Sequence, residues 1–356
     1  MTAGQVIRPG CLVIRGARTP AVRYCRGVDP AWALRQIAFQ LERAGAPTYR
    51  VRAFRKAAAV VAELPAGQVE DRIRRGTLQQ LPGIGKATAA VIEQAVAGET
   101  PEYLAGLVAD VPKQPRAGLR TVLRGDCHTH SDWSDGGSPP QEMAEAARAL
   151  GHEWIALTDH SPRLTVARGL SAERLTQQLR LLADINTELA PFRVLSGIEV
   201  DILDDGALDQ EPELLARLDV VVASVHSHLR MPAAEMTERM VAAVHNPVVD
   251  VLGHCTGRLI TGRGRPESTF DAERVFTACR DNGVAVEINC RPERRDPPDR
   301  LLALAVELGC LFAIDTDAHA PGQLDWLDDG CRRAEQLDVS ADRIINTRTA
   351  AAMAGS

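Results

Sequence analysis

The chain has 356 residues, 45% of them hydrophobic and 25% charged, with a formal net charge of −6. No stretch approaches the ~18 consecutive apolar residues of a membrane helix, and Arg8, Arg15, Arg18 and Arg23 break up what would have to be the apolar core of a leader, so no secretory signal is expected. The eight cysteines (Cys11, Cys25, Cys127, Cys255, Cys279, Cys290, Cys310 and Cys331) never form C-x-x-C, which suits buried thiols in a reducing, cytoplasmic setting.

The charge is unevenly placed. Residues 1–117 carry 17 Lys+Arg against 9 Asp+Glu, a net of +8, whereas residues 118–356 carry a net of −14. All nine histidines lie between His128 and His319. A small basic part joined to a large acidic, histidine-rich part suggests an anionic partner for the first and metal ions for the second.

Residues 1–28 show weak periodicity and read as an arm. A helical domain is predicted over 29–109. Asp29-Pro30 is an N-cap followed by an N1 proline, and Ala31, Leu34, Ile37, Ala38 and Leu41 recur at helical spacing up to Gly45. A second helix begins at Thr48 and stops at Pro65. A third spans roughly Val69 to Arg75, a fourth follows Lys86 up to Gly98, and Thr100-Pro101 caps a short fifth. Between the third and fourth lies Leu81-Pro82-Gly83-Ile84-Gly85-Lys86. Gly83 and Gly85 permit positive φ and close approach of another molecule, and the next helix offers free N–H groups to a phosphate, with Lys86 adding a cation.

After a linker at 110–119, residues 120–356 alternate apolar runs with helical stretches, the pattern of a parallel α/β fold. The runs are TVLRGDCHTH, WIALTDH, FRVLSGIEVDI, LDVVVASVHS, VDVLGHC, GVAVEINC and CLFAIDTDAH. Each ends in polar, metal-capable residues. In an α/β barrel such strand ends converge on one mouth, whereas a doubly wound sheet would gather ligands at a single switch point. A seven-stranded (β/α) barrel is therefore expected. Its candidate ligands are His128, His130, Asp135, His160, Glu199, His226, His254, Asp317 and His319. Strand alternation aims His128 with His130, and Asp317 with His319, to one side each. Nine donors match three divalent ions with three ligands each, and imidazole plus carboxylate without thiolate suits Zn or Mn, with Fe also compatible. Cys127 and Cys255 flank ligands but alternate away from them. His152 and His245 fall outside the pattern and are expected to be structural, and His228 lies near the mouth without an assigned role.

Two resemblances rest on these motifs. The string L-P-G-I-G-K resembles the helix-hairpin-helix DNA-binding motif. More widely, Asp29 to Leu107, with TYRVRAFRKAA and AGETPEYLAGL, resembles the small N-terminal domain of family X DNA polymerases. One departure matters: the family's Schiff-base lysine position is Val91 here, so lyase chemistry by that route is not implied. No polymerase palm follows. The second resemblance covers about 120–350: DCHTHSDWSDG, ALTDHS, GIEVDI, VHSH, GHCTGR and DTDAH are similar to the motifs of the PHP (polymerase and histidinol phosphatase) domain, above all of PHP domains at the C-termini of bacterial family X polymerases. That resemblance implies a distorted seven-stranded barrel with a trinuclear centre that hydrolyses phosphoesters. It further implies that Glu199 bridges two ions, with His128, His130 and Asp317 on one and His226 and His254 on the other, while Asp135, His160 and His319 hold the third.

Arg258 is a candidate catalytic phosphate clamp, since a guanidinium binds phosphate oxygens in pairs. Asn289 and Arg291 are candidate substrate contacts, and Arg263, Arg265, Arg294 and Arg295 candidate lining for a backbone groove. The expected function is a metal-dependent phosphoesterase acting on DNA, a 3′→5′ exonuclease or 3′-end-processing enzyme in repair, with AP-endonuclease or 3′-phosphatase activity open to the same site. Gly83, Gly85 and Lys86 would hold the DNA backbone without reading sequence, and no protein or membrane partner is expected. The alternatives are a small-molecule phosphatase of the histidinol-phosphate type and a non-enzymatic DNA-binding module with a degenerate barrel. The basic hairpin domain speaks against the first, and the full ligand set against the second.

Overall fold

A computed structural model describes residues 28–109 and 116–355. The arm, with Cys11 and Cys25, lies outside these residues except for Val28, as do residues 110–115 of the linker.

Five helices build the first domain: α1 (Pro30–Arg43), α2 (Thr48–Glu63), α3 (Gln68–Arg74), α4 (Lys86–Val96) and α5 (Glu102–Ala109). The Asp29 carboxylate accepts the Ala31 N–H at 2.9 Å and so starts α1. One face of α1, with Leu34, Ile37, Ala38 and Leu41, packs on Phe54, Ala57, Ala58 and Val61 of α2 and on Val91, Ile92 and Ala95 of α4. Val91 is buried in this core, which accounts for an apolar residue there.

The second domain contains seven parallel strands in sequential order: β1 (Gly125–Thr129), β2 (Trp154–Leu157), β3 (Arg193–Asp201), β4 (Val220–Ser224), β5 (Val251–Leu252), β6 (Ala285–Asn289) and β7 (Phe312–Asp315). The crossovers carry α6 (Pro140–Ala149), α7 (Ala172–Leu189), α8 (Pro212–Leu215), α9 (Ala233–Val244), α10 (Ala272–Asn282) and α11 (Asp299–Glu307), and α12 (Leu327–Gln336) and α13 (Ala350–Met353) follow β7. A parallel bridge between Thr129 and Ala318, beyond the end of β7, draws β7 back to β1 and closes the ring.

Strand alternation sorts the interior. Along β3, Leu195, Gly197 and Glu199 share a face; along β6, so do Ala285, Glu287 and Asn289. The earlier members of such series (Trp154, Leu195, Val220, Val222, Val251, Ala285 and Ala313) form an apolar floor, and the polar members stand above it at the C-terminal mouth. Between strands and outer helices lies the larger core, with Ile198, Val200, Val221, Met236, Phe276 and Ile314. The six cysteines among the described residues are buried and unpaired. No helix among those residues is long and apolar enough to cross a membrane.

Candidate metal centre

Glu199, buried on β3, is the hub of the mouth. Its Oε2 lies 3.3 Å from His128 Nε2, 3.5 Å from His130 Nε2 and 2.9 Å from His160 Nδ1. Its Oε1 lies 3.2 Å from His226 Nε2 and 2.8 Å from His254 Nε2. Asp317 Oδ1 is 3.4 Å from His130 Nε2. Asp135 Oδ1 is 3.5 Å from His160 Nε2 and 3.4 Å from His319 Nε2. All nine predicted donors thus meet at one end of the barrel.

Most of the candidate donors sit just past the strands rather than in them. His226 and His254 follow the ends of β4 and β5 by two residues, and His160 follows β2 by three. Asp317 and His319 come together, but not by strand alternation. The φ of Asp317 is +52°, so the chain has left strand geometry, and Asp317 Oδ1 lies between His130 Nε2 and His319 Nδ1, 3.4 Å from each, while His319 Nε2 reaches Asp135.

The donor set fits divalent cations. A tetrahedral ion with bonds of ~2.0–2.1 Å holds its ligands roughly 3.3 Å apart, close to most of the separations above. His128 Nε2, both ring nitrogens of His130, His160 Nδ1, His226 Nε2 and Glu199 Oε2 are buried without a hydrogen-bond partner. Such atoms are costly unless something polar or cationic meets them. Three groups have donor atoms close enough to share an ion: His130, Asp135, His160 and His319; His128, His130 and Glu199; and His160, Glu199 and His226.

Burial opposes charge on Glu199, but the imidazoles of His160, His128 and His226 hold its carboxyl well below the usual range. Burial likewise disfavours a charged His226, yet Glu199 and Asp201 raise it to about 9. His130 is lowered to about 3 by burial beside His319 and His160, and His254 to about 3 by burial near Arg294. That lowering favours the neutral form of both imidazoles, the form that ligates a metal.

Several supporting residues were missed in the sequence. Glu287 on β6 lies 2.6 Å from His128 Nδ1, and Asp201 pairs with His226 Nδ1. Each turns the second ring nitrogen away from the mouth. Both sit two positions from a polar residue on the same strand face (Asn289 and Glu199), a period-two signal that was available. Asp159, beside His160, accepts the Ser131 N–H at 2.8 Å and the Ser134 hydroxyl at 2.5 Å, and so shapes the loop that presents Asp135. Asp296 holds the loop after His254 through the Thr256 hydroxyl at 2.5 Å.

The arginines are rearranged relative to expectation. Arg258 donates to the carbonyls of Arg294 (3.0 Å) and Arg295 and lies 3.5 Å from Glu267. Its guanidinium braces one loop against another. Asn289 is spent on Asp317 and Glu287, at 3.3 Å each. Arg291 reaches His319 Nδ1 at 3.1 Å and Asp317 at 3.4 Å. Arg294 lies 3.2 Å from Asp317, with its Nη1 buried and unpartnered. Arg265 donates to the Gly257 carbonyl, Arg295 pairs with Asp329, and Arg263 is exposed. His152 lies against Arg120, the His245 Nδ1–H donates to the Val241 carbonyl of the helix it follows, and His228 pairs with Asp204 on the surface.

In the first domain, Gly83 has φ +96°, and a Cβ there would lie 2.8 Å from the Lys56 side chain. Gly85 differs from expectation: its φ is −99°, an ordinary extended value, with open space where a side chain would stand. It caps α4, whose first residue is the exposed Lys86.

Comparison with known proteins agrees with this anatomy. Residues 25–101 match the helix-hairpin-helix domain model and residues 126–291 the PHP domain model. The chain is 40% identical over 227 residues to the DNA polymerase/3′-5′ exonuclease PolX of Bacillus subtilis (strain 168), covering 64% of this chain but 40% of that protein, so it spans about two fifths of that relative's length. It is 31% identical over 231 residues to a probable phosphatase of Acetivibrio thermocellus, covering 62% of this chain and 90% of that one. The histidinol phosphate phosphatase of Lactococcus lactis, solved with zinc, L-histidinol and phosphate, superposes with a TM-score of 0.43 at 20% identity, over 62% of this chain and 94% of that one. With the two family-model matches and the 31% identity over 90% of the Acetivibrio protein, the chain belongs to the PHP-domain phosphoesterase family and carries a helix-hairpin-helix domain ahead of the barrel.

Proposed function

We propose that the protein is a metal-dependent DNA phosphoesterase that trims or processes 3′ ends, with three divalent ions, zinc or manganese, at the barrel mouth. The carrying observation is the convergence on Glu199 of buried imidazole nitrogens that have no other partner. In this reading His128, His130, Asp317 and Glu199 hold one ion, Glu199 with His226 and His254 a second, and Asp135, His160 and His319 a third. The chemistry that such ions supply is a water acidic enough to attack at neutral pH and relief of charge on the phosphoryl oxygens.

The chain's own residues do the rest. Glu287 and Asp201 fix the ring orientation of His128 and His226. Arg294, with a buried free N–H group, and Arg291 stand beside Asp317 where a phosphate oxygen would enter, and both suit bidentate anion binding. The hairpin offers phosphate the N–H groups at the start of α4 with Lys86 beside them, a grip that follows the backbone and reads no bases. The likeness to two fifths of the Bacillus subtilis DNA polymerase/3′-5′ exonuclease PolX supports DNA as substrate.

A second reading, hydrolysis of a small phosphomonoester, is favoured by the relatives described as probable phosphatases. The test is an assay on 3′-end-labelled single- and double-stranded DNA with added manganese or zinc, histidinol phosphate alongside, and H128A as control. Stepwise shortening that is lost in H128A and on chelation is expected. Phosphate release from histidinol phosphate with DNA untouched would overturn the DNA reading in favour of the second.

A further inference from the structure

Among the described residues, the helical domain packs on the barrel at the seam where β7 closes on β1. The 3-10 turn Pro321–Asp325 begins two residues after His319 and packs under the C-terminal half of α1. Gly322 is in direct contact there: a Cβ on it would lie 2.1 Å from the Phe39 carbonyl and 2.9 Å from the Arg43 nitrogen. Only glycine lets the two backbones approach this closely.

The contact is built as well as close. Glu42 is buried, and its Oε2 accepts the Gly322 N–H at 2.9 Å while Arg55 holds both carboxylate oxygens at 2.9 and 2.8 Å. Arg55 also donates to Glu142 of α6 at 3.2 Å. The Trp326 indole N–H donates to the Arg43 carbonyl at 2.9 Å, and Arg43 lies 3.4 Å from Asp325.

Both barrel elements touched by the helical domain follow loops that carry donors of a single group. The 3-10 turn follows His319, and α6 follows the loop holding Asp135. The two loops are themselves joined, since the Gly137 N–H donates to the His319 carbonyl at 2.7 Å, and the His319 N–H donates to the Gln323 side chain at 2.6 Å. A path of hydrogen bonds therefore runs from Glu42 through Gly322 and its turn to His319, and across to the Asp135 loop.

We propose that the helical domain is a clamp across the barrel seam, with Glu42 and Gly322 as positioning residues that hold Asp135 and His319 in ligating geometry. The domain then has two tasks: presenting the hairpin and completing the outermost ligand group. A ligand pair set on two loops, away from the strands that hold Glu199, gains most from such external bracing. This inference rests on the assignment of Asp135 and His319 as ligands.

The test uses the full chain and a small chromogenic phosphodiester that needs no DNA grip. G322A, E42A and the near-isosteric E42Q, which keeps an oxygen to accept the Gly322 N–H, are compared with H319A for bound metal after dialysis and for kcat and KM. G322A and E42A are expected to lose metal to the same extent as H319A and to lose roughly tenfold or more in kcat. E42Q is expected to retain more metal than E42A, and amide exchange across 319–325 should quicken in E42A and G322A but not in E42Q. Wild-type metal content and kcat in both E42A and G322A, with H319A depleted, would overturn the clamp while leaving the ligand assignment standing. An undiminished metal content in H319A would overturn the ligand assignment, and the clamp with it.

Discussion

Nδ1 of His128 stands 2.6 Å from one carboxylate oxygen of Glu287, while the other oxygen of the same carboxylate accepts the backbone N–H of His254. One fully buried side chain on β6 thus sets the ring of a donor on β1 and the main chain beneath a donor beyond β5. Glu287 is the residue through which three strands agree on the position of the centre. Replacing it by glutamine keeps the shape but leaves His128 facing an amide, and the expected loss is about 10–100-fold in metal affinity or kcat. Metal titration against activity checks this; unchanged affinity and rate would exclude the orienting role.

Arg294 and Arg258 are expected to separate by phenotype. R294A removes a guanidinium lying on Asp317 with a buried free N–H, and should raise KM or lower kcat for a phosphodiester by about tenfold or more. R258A removes a brace between loop carbonyls, and should lower stability by about 1–2 kcal/mol with smaller kinetic effects. Paired denaturant melts and kinetics on the two variants decide the matter.

Gly83 and Lys86 give a prediction for the grip on DNA. G83V forces a side chain into φ +96° and against Lys56, so binding of duplex DNA should weaken while turnover of a small phosphodiester persists. K86A should reduce the slope of log affinity against log salt by about one and leave sequence preference untouched. Binding isotherms at three salt concentrations measure both. An unchanged slope in K86A would place the phosphate grip elsewhere.

His152 sets part of the acid limit of the fold. It is buried beside Arg120 and Arg116, and burial with those cations lowers it to about 3. A folded value below the unfolded one of about 6.5 means the neutral ring is favoured, so its contribution is fully present above pH ~6.5 and is lost as pH falls toward 3. H152N should flatten the fall of stability across that window, by an amount on the order of 3 kcal/mol at its acid end. Denaturant midpoints at pH 7, 5.5 and 4 for both chains show the difference. Parallel curves would exclude the histidine as the cause.

Much of this protein is written in local pattern. Asp29-Pro30, the apolar stripe from Leu34 to Leu41 and Pro65 set helix limits, because caps and proline act within one turn of chain. Seven apolar runs, six of them with a His, Asp or Glu candidate near the end, announced the strands and their mouth, because period-two alternation puts every second side chain on one face. The nine candidate donors were read from those strand ends and from the loop after the first. What tertiary structure alone decided is how remote segments meet. Arg258 was turned onto loop carbonyls and Arg294 onto Asp317, Gly85 took an ordinary extended backbone, and Asp317 left strand geometry. Glu287 was set behind His128 from a strand 159 residues away in sequence, and Gly322 was fitted beneath α1. Spacing along a chain governs which side a residue faces within its own element, whereas the partner it finds there depends on strand order, loop path and docking, which no local period encodes.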